Sequence, residues 1–453
     1  MNEEKRAAVQ PTGKRAGEGA PQDQGPTAPT SIAETGLEHD LLLQLLLKTV
    51  YITGRVTVSA LADSLKLARS IVSPLLEDGK AKNLFEVLGT TGSSPLSEMR
   101  YNLTGKGREW ATEALERSQY VGPAPVTLPQ YRERVESQRI MNEPIYSEIL
   151  LQRLSHLVIP DDLLDRVGAA IFSGRSMLFY GPPGNGKTSI ATAFGGVYRQ
   201  TVYVPHCIEV DGQIIKLFDA TIHKPIASAP PESAGEEGVV TGVFRRPEPI
   251  DPRWLACRRP IVVVGGELTL DMLDLNFNPI AKFYEAPVQL KATNGLFIID
   301  DFGRQLVSPQ DLLNRWIVPM DQGVDYLTLH TGKKFPVSFD AVVAFSTNIP
   351  PSDLVDPGAL RRIHSKIEVG PPTKEDFLTI FGMVCEEFGI ELPDEVIAFL
   401  FEEVYGRRKV PIGRYHPRAL TQLAQAICEY RRRPFRLDLD VIRLAVENML
   451  IHH

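Results

Sequence analysis

The sequence predicts an α/β protein: a parallel sheet with helices on both faces, followed by a small helical unit and preceded by a separate helix-rich one. Three observations carry this. From about residue 139, apolar strand-like runs alternate with longer helical stretches, the pattern of a parallel sheet. Gly181-Pro182-Pro183-Gly184-Asn185-Gly186-Lys187-Thr188 fits G-x-x-x-x-G-K-[ST] between the apolar run Met177–Tyr180 and a helical run from Ser189 onward. After Gly370-Pro371-Pro372 only helical periodicity remains, at about 374–388, 394–405, 417–431 and 439–451, opened by the capping signal Thr373-Lys374-Glu375-Asp376.

Composition sets the outer limits. The chain has 453 residues, 43% hydrophobic and 23% charged, with a net charge of −7. That is the balance of a soluble protein of two or three domains, with no global attraction to nucleic acid or an anionic surface. The N-terminus lacks an apolar signal core, and no run reaches the roughly 18 apolar residues of a membrane span. A cytoplasmic protein without membrane insertion is expected. Cys207, Cys257, Cys385 and Cys428 form no CxxC pair. His206 and His223 near Cys207 and Cys257 lack metal-ligand spacing, so packing is the expected role of all four.

Taken in order, residues 1–38 are Gly-, Pro- and Glu-rich without periodicity and are expected to be disordered. Residues 39–120 read as helices at 41–51, 58–65 and 68–80, the last with Pro74 inside it. A hairpin of Leu84–Leu88 and Met99–Leu103 follows, then a closing helix at 107–117. This order resembles a winged helix-turn-helix, and Tyr101–Arg108 resembles the wing-to-helix exit of such domains. Such units read DNA with their third helix. Here Arg69, Ser70 and Ser73 are followed by Glu77 and Asp78, and residues 39–120 carry 10 Lys/Arg against 9 Asp/Glu. DNA reading and protein docking are thus evenly weighted. Residues 121–138 read as a Pro-containing linker.

Five strands are candidates for the sheet: Met177–Tyr180, Thr201–Pro205, Leu296–Ile299, Ala341–Phe345 and Lys366–Val369. About 90 residues separate the second from the third. Within them Ala227–Pro252 reads as an exposed loop, and Ile261–Leu268 as a strand or strand–turn. Ser308 caps a helix running through Trp316, and Tyr326–His330 with Lys334–Val337 reads as a hairpin. Such a hairpin lines a ring's pore or packs on the core.

The chemistry is concentrated at strand ends. Glycines let the backbone N–H groups of residues 181–189 close around phosphates, and the following helix adds a favourable dipole. Gly181, Pro182, Pro183, Gly184, Asn185, Gly186, Lys187, Thr188 and Ser189 are the nucleotide-binding residues. Lys187 faces the β- and γ-phosphates and Thr188 ligates Mg²⁺. Leu296-Phe297-Ile298-Ile299-Asp300-Asp301 matches the Walker B pattern. Asp300 would hold Mg²⁺, directly or through water, and Asp301 would polarise the attacking water.

Two further segments make the resemblance specific. Phe345-Ser346-Thr347-Asn348 is similar to sensor 1, and Asp356–Arg362 is similar to the segment bearing an arginine finger. Across residues 139–453 the chain resembles an AAA+ ATPase. The resemblance implies a three-layer αβα core with a parallel five-stranded sheet over 139–370, a helical lid over 371–453, ATP and Mg²⁺ as ligands, and a hexameric ring. It assigns Asn348 to the water or γ-phosphate. Arg362, in preference to Arg361, becomes the finger acting on the neighbouring subunit. Arg418, in His416-Pro417-Arg418-Ala419-Leu420, becomes sensor 2. The stretch before Walker B is similar to that of bacterial enhancer-binding activators and MoxR-type chaperones. The GAFTGA loop of the activators is absent, and Gly238–Phe244 does not substitute for it. Three functions follow: remodelling of a protein assembly with the winged helix as adaptor, a DNA-anchored motor or regulator, and a slowly hydrolysing switch.

Overall fold

The computed structural model describes residues 25–91, 98–226 and 249–450. Its centre is a sheet of five strands: β1 (Met177–Tyr180), β2 (Ile261–Val264), β3 (Gly295–Ile299), β4 (Ala341–Thr347) and β5 (Ser365–Glu368). Their order is β2-β3-β4-β1-β5, and every pair is parallel. Such strands bury both faces, which is why they read as continuous apolar runs. Phe179, Ile298 and Ala344 face the helices Asp161–Ser173 and Lys187–Gly195. Leu178, Phe297, Ile299 and Phe345 face the helix Pro309–Gln322, whose Trp316 packs on Phe297. This alternation produces the three-layer αβα core that the AAA+ resemblance implies.

One expected strand lies elsewhere. Thr201–Pro205 pairs antiparallel with Trp254–Arg258 outside the main sheet, and the edge strand of the sheet is Ile261–Val264. Both segments are short, apolar and rich in β-branched residues, so periodicity alone cannot choose between them. The choice is made by pairing.

The expected linker is also structured. Val126–Thr127 is a strand paired with Cys207–Val210, and Leu128–Ser137 is a helix closed by a Thr127/Gln130 capping box. Together with Gln213–Lys216, Asn276–Asn278 and Phe283–Glu285 they form a second five-stranded sheet beside the core. The hairpin Val324–Thr328/Lys334–Ser338 packs Leu327, Phe335 and Val337 into the same apolar cluster as Val126, Tyr131 and Ile208.

The N-terminal unit has helices His39–Thr53, Val58–Leu65 and Arg69–Ala81, strands Phe85–Thr90 and Met99–Leu103, and a closing helix Gly105–Arg117. Val56–Thr57 adds a third strand. Cys207 and Ile214, from the second sheet, complete its core. Pro74 sits inside the third helix without ending it. Lys48 is buried in this unit, donating to the Ser118 carbonyl at 3.0 Å.

The expectation of disorder fails for residues 25–38. Thr27 bridges Ile250, Asp251 N–H donates to Pro26 at 2.7 Å, and Ile32–Thr35 is a short helix capped by Ser31. The buried Arg253 ties this segment down. It is forked on Asp251 and donates to the carbonyls of Thr35 (3.3 Å) and Pro125 (3.1 Å). Composition is blind to such long-range partners. Residues 1–24, and most of the loop expected at 227–252, fall outside the described residues.

The C-terminal unit packs Lys374–Phe388, Asp394–Phe399 with its π-helical continuation Leu400–Arg407, His416–Tyr430 and Leu439–Met449 around Phe377, Phe381 and Leu420. Among the described residues no helix is long and apolar enough to cross a membrane.

Two expectations follow. A chain beginning at residue 39 should melt several degrees below one beginning at residue 25, because Arg253 loses a carbonyl partner and Leu37 its burial; each loss is worth about 1–3 kcal/mol. Equal melting temperatures by calorimetry would contradict the packing described. Burial pushes the Lys48 ammonium down to about 8 from its ordinary 10.5. Between those values the unfolded chain binds more protons than the folded one, so Lys48 makes stability rise with pH across that window. Lys48→Met should therefore raise the melting temperature at pH 7, with the gain shrinking as pH approaches 10.

Candidate functional site

The C-terminal ends of β1, β3 and β4 open into a cleft of about 940 Å³ roofed by the helical unit. The loop after β1 turns through Gly184 (φ +77°) and Gly186 (φ +81°), left-handed conformations that favour glycine. Gly186 then caps the helix Lys187–Gly195. Pro183, Gly184, Asn185, Gly186, Lys187, Thr188 and Ser189 all line the cleft. Gly181 and Pro182 serve through their carbonyls, which accept from Lys187 Nζ at 3.0 and 2.9 Å.

The predicted chemistry converges here. Lys187 Nζ also donates to Asn348 Oδ1 at 2.6 Å, and Asn348 Nδ2 donates to Asp301 Oδ1 at 3.3 Å. Thr188 Oγ1 donates to Asp300 Oδ1 at 2.7 Å. Burial lowers the Lys187 pKa, while Asp300 and Asp301 oppose that shift by favouring the charged form.

The two acids are fixed by the chain around them. Asp300 N–H bonds Val264 O of β2 at 2.7 Å, and Phe302 N–H bonds Ser346 O of β4 at 2.7 Å. Asp301 between them is left-handed at φ +48°, a conformation Asp tolerates. Adjacent carboxylates thereby take different partners, Asp300 the Thr188 hydroxyl and Asp301 the Asn348 amide.

MgATP fits this donor set. A hydroxyl and a carboxylate at 2.7 Å suit a hard cation that prefers oxygen ligands. A single ammonium stands beside a loop whose N–H groups start a helix, the combination that holds phosphates. His223 and Cys207 are otherwise occupied: His223 accepts from Asp219 N–H at 2.9 Å and pairs with the Lys291 carbonyl, and Cys207 pairs with the Tyr120 hydroxyl at 3.1 Å. No cluster of three His, Cys, Asp or Glu side chains able to hold a metal occurs among the described residues.

The arginines divide. Arg418 lines the cleft but is forked on Glu387, at 3.1 and 2.5 Å, which raises its pKa. Arg361 and Arg362 are not among the residues lining this cleft. Arg362 is paired with Asp321 of the helix Pro309–Gln322, while Arg361 is exposed and makes no side-chain hydrogen bond or ion pair among the described residues. Several cleft residues were not read from the sequence: His156–Ile159 and Ile380, Met383 and Val384 as apolar walls, Glu387, and the pair Arg414 and Tyr415. Only the last pair left a local signal, lying just before the Pro417-Arg418 motif.

Residues 373–448, essentially the helical unit, match a family described as a domain of unknown function (DUF8689). No curated protein matches the chain. Among solved structures, the Thermotoga maritima RuvB Holliday junction branch migration motor is 14% identical, with a TM-score of 0.34 over 64% of this chain and 68% of that one. NtrX from Brucella abortus is 12% identical, with a TM-score of 0.38 over 77% of this chain and 62% of that one. The reading of the site rests on strand order and side-chain geometry.

Lys187→Ala should abolish binding of a fluorescent ATP analogue, whereas Asp300→Asn should keep nucleotide binding and lose its dependence on Mg²⁺. Titrations with and without EDTA separate the two. Wild-type binding by both variants, with unaltered Mg²⁺ dependence, would place the nucleotide elsewhere.

Proposed function

We propose that the chain is a ring-forming ATPase that couples ATP hydrolysis to remodelling of a protein assembly, acts in the cytoplasm, and uses residues 39–120 as a protein-docking adaptor. The observation carrying this is the convergence of Lys187, Thr188, Asp300, Asp301 and Asn348, from three strand ends, within hydrogen-bond reach of one another. Bound MgATP supplies the phosphoryl group and the metal that spreads its charge; the protein's contribution is positioning and electrostatics. Thr188 and Asp300 would hold the metal. Lys187 exchanges its carbonyl partners for phosphate oxygens. Asp301 accepts a proton from water that Asn348 orients, and the Asn348–Asp301 bond sets the direction of that carboxylate. The presence of both acids supports turnover over a slow switch. Arg418 completes the cleft from the lid once it leaves Glu387.

The family resemblance implies a finger supplied by a neighbouring subunit, and in keeping with that no arginine of the 356–362 segment lines the chain's own cleft. Arg361 suits that role better than the Arg362 favoured by sequence, since Arg362 is already held by Asp321. A finger from a neighbour calls for a closed ring, and the family resemblance implies a hexamer.

Docking to protein is favoured over DNA by the state of the third helix of the N-terminal unit. Arg69 is paired with Glu98 at 3.2 Å, Lys80 with Glu77 at 3.0 Å and Lys82 with Asp78 at 2.9 Å. Ser70 donates to the Thr30 carbonyl at 2.7 Å, so the ordered N-terminal segment covers part of the helix start. A DNA-reading helix offers unpaired cations to phosphates; here each of these three cations has a carboxylate beside it.

Arg361→Ala should lose most hydrolysis while retaining nucleotide binding, and Arg362→Ala should lose less. Mixing Arg361→Ala with Lys187→Ala subunits should restore part of the activity, because some interfaces then pair an intact loop with an intact finger. A monomer that stays fully active at high dilution in MgATP, with no recovery on mixing, sinks the ring.

A further inference from the structure

The lid touches the phosphate loop through one residue that no motif predicts. Tyr415 N–H donates to the Gly184 carbonyl at 3.1 Å. Its ring lies so close to Gly184 that a methyl group there would overlap it, and Gly413 borders the same ring on the lid side. Behind it, His416 meets the Tyr415 ring edge-on with centroids 4.4 Å apart. His416 is buried and takes the Tyr405 hydroxyl on Nδ1 at 3.0 Å, and Tyr405 packs on Phe377 in the centre of the lid core. A continuous chain of packed rings therefore runs from the phosphate loop to the middle of the helical unit.

The residue beside it holds the other bank of the cleft. Arg414 Nη1 donates to the Val158 carbonyl at 2.6 Å, and its other Nη lies 3.8 Å from Asp376 at the start of the first lid helix. Consecutive residues thus fasten the lid at two points, one to the segment before the core helix Asp161–Ser173 and one to the phosphate loop. The second point lies on the loop whose Gly181 and Pro182 carbonyls accept from Lys187. The Gly184 carbonyl that accepts from Tyr415 is joined through its peptide to the N–H of Asn185, within the set of amides that face the phosphates.

We propose that Tyr415 is a positioning residue that sets the angle of the lid from the state of the phosphate loop, and so places Arg418 three residues further on. This rests on the nucleotide reading given above. Arg418 and Glu387 both lie on helices of the lid, so rotation of the lid carries their ion pair as one body; Tyr415, seated on Gly184, sets how far over the phosphate loop that body stands. The Tyr415 hydroxyl makes no hydrogen bond among the described residues, so the ring and the backbone N–H carry the effect.

The test uses the full chain with cysteines introduced at Asp162 in the core and Ala426 in the lid; all four native cysteines are buried, so spin labels attach at the new positions. Distance distributions between the labels are recorded with and without MgATP, beside the affinity for a fluorescent ATP analogue and steady-state hydrolysis. Wild type should give a narrow distribution that shifts with MgATP. Tyr415→Ala should broaden it in both states and weaken analogue affinity about tenfold, with the loss falling on KM more than on kcat. Tyr415→Phe should restore the wild-type distribution and affinity. Gly184→Ala should also weaken affinity, and adding Tyr415→Ala to it should cost less than the sum of the two single losses, as for residues in contact. Failure of wild type to bind the analogue overturns the nucleotide reading itself. Wild-type binding combined with an unchanged distribution and affinity in Tyr415→Ala overturns the role of Tyr415 alone.

Discussion

The sheet is held in register by a buried polar node at the edge opposite the cleft. Arg259 donates from Nε to Glu143 at 3.0 Å and from Nη1 to the carbonyls of Gln138 and Asn294 at 2.9 and 2.8 Å. Asn294 passes the network on, through its amide to Asp340 at 2.7 Å and to the Val135 carbonyl at 3.0 Å. Gln138 brackets Tyr203, accepting from its N–H at 2.9 Å and donating to its carbonyl at 3.0 Å. Burial raises the Asp340 pKa, offset by Asn294 and the Ile140 N–H. The placement matters more than the energy. Arg259 lies two residues before β2, Asn294 one before β3 and Asp340 one before β4. A cluster that tolerates no missing partner, since removing one costs about 3–5 kcal/mol, thus fixes where three neighbouring strands begin. Each strand then delivers its far end at a set height, and those far ends carry Asp300, Asp301 and Asn348.

At the cleft itself the charges are parked rather than idle. Lys187 rests on two loop carbonyls and Asn348, Thr188 on Asp300, and Arg418 on Glu387. On the nucleotide reading proposed above, an incoming phosphate or metal ion would take over these contacts. The backbone does the opposite and holds still. Asp301, left-handed between two strand-to-strand hydrogen bonds, is held apart from Asp300.

What was legible in the sequence was what is local. The phosphate loop is read from eight consecutive residues because its chemistry lies in its own backbone, and the acidic pair because it ends a strand buried on both faces. The lid helices are read from periodicity and caps. What escaped depended on partners far along the chain. Thr201–Pro205 and Ile261–Val264 are equally strand-like, and only hydrogen bonding to β3 selects the second. Residues 25–38 and 126–137 look like tail and linker until Arg253 and the second sheet are seen to hold them. Tyr415 carries no charge and fits no motif; its importance comes from which glycine it covers.

The second sheet has a consequence for how the chain comes into being. Its strands are drawn from residues 126–127, 207–210, 213–216, 276–278 and 283–285, and the hairpin that closes its core ends at 338. During synthesis the helix Leu128–Ser137 emerges some two hundred residues before the hairpin that covers it, and Cys207 and Ile214 must arrive before the N-terminal unit has its full core. The second sheet therefore cannot be completed in order of emergence. The second sheet closes only after its hairpin, ending at residue 338, has emerged, and the parallel core only after β5 (Ser365–Glu368), which leaves the helical lid as the last unit to be made.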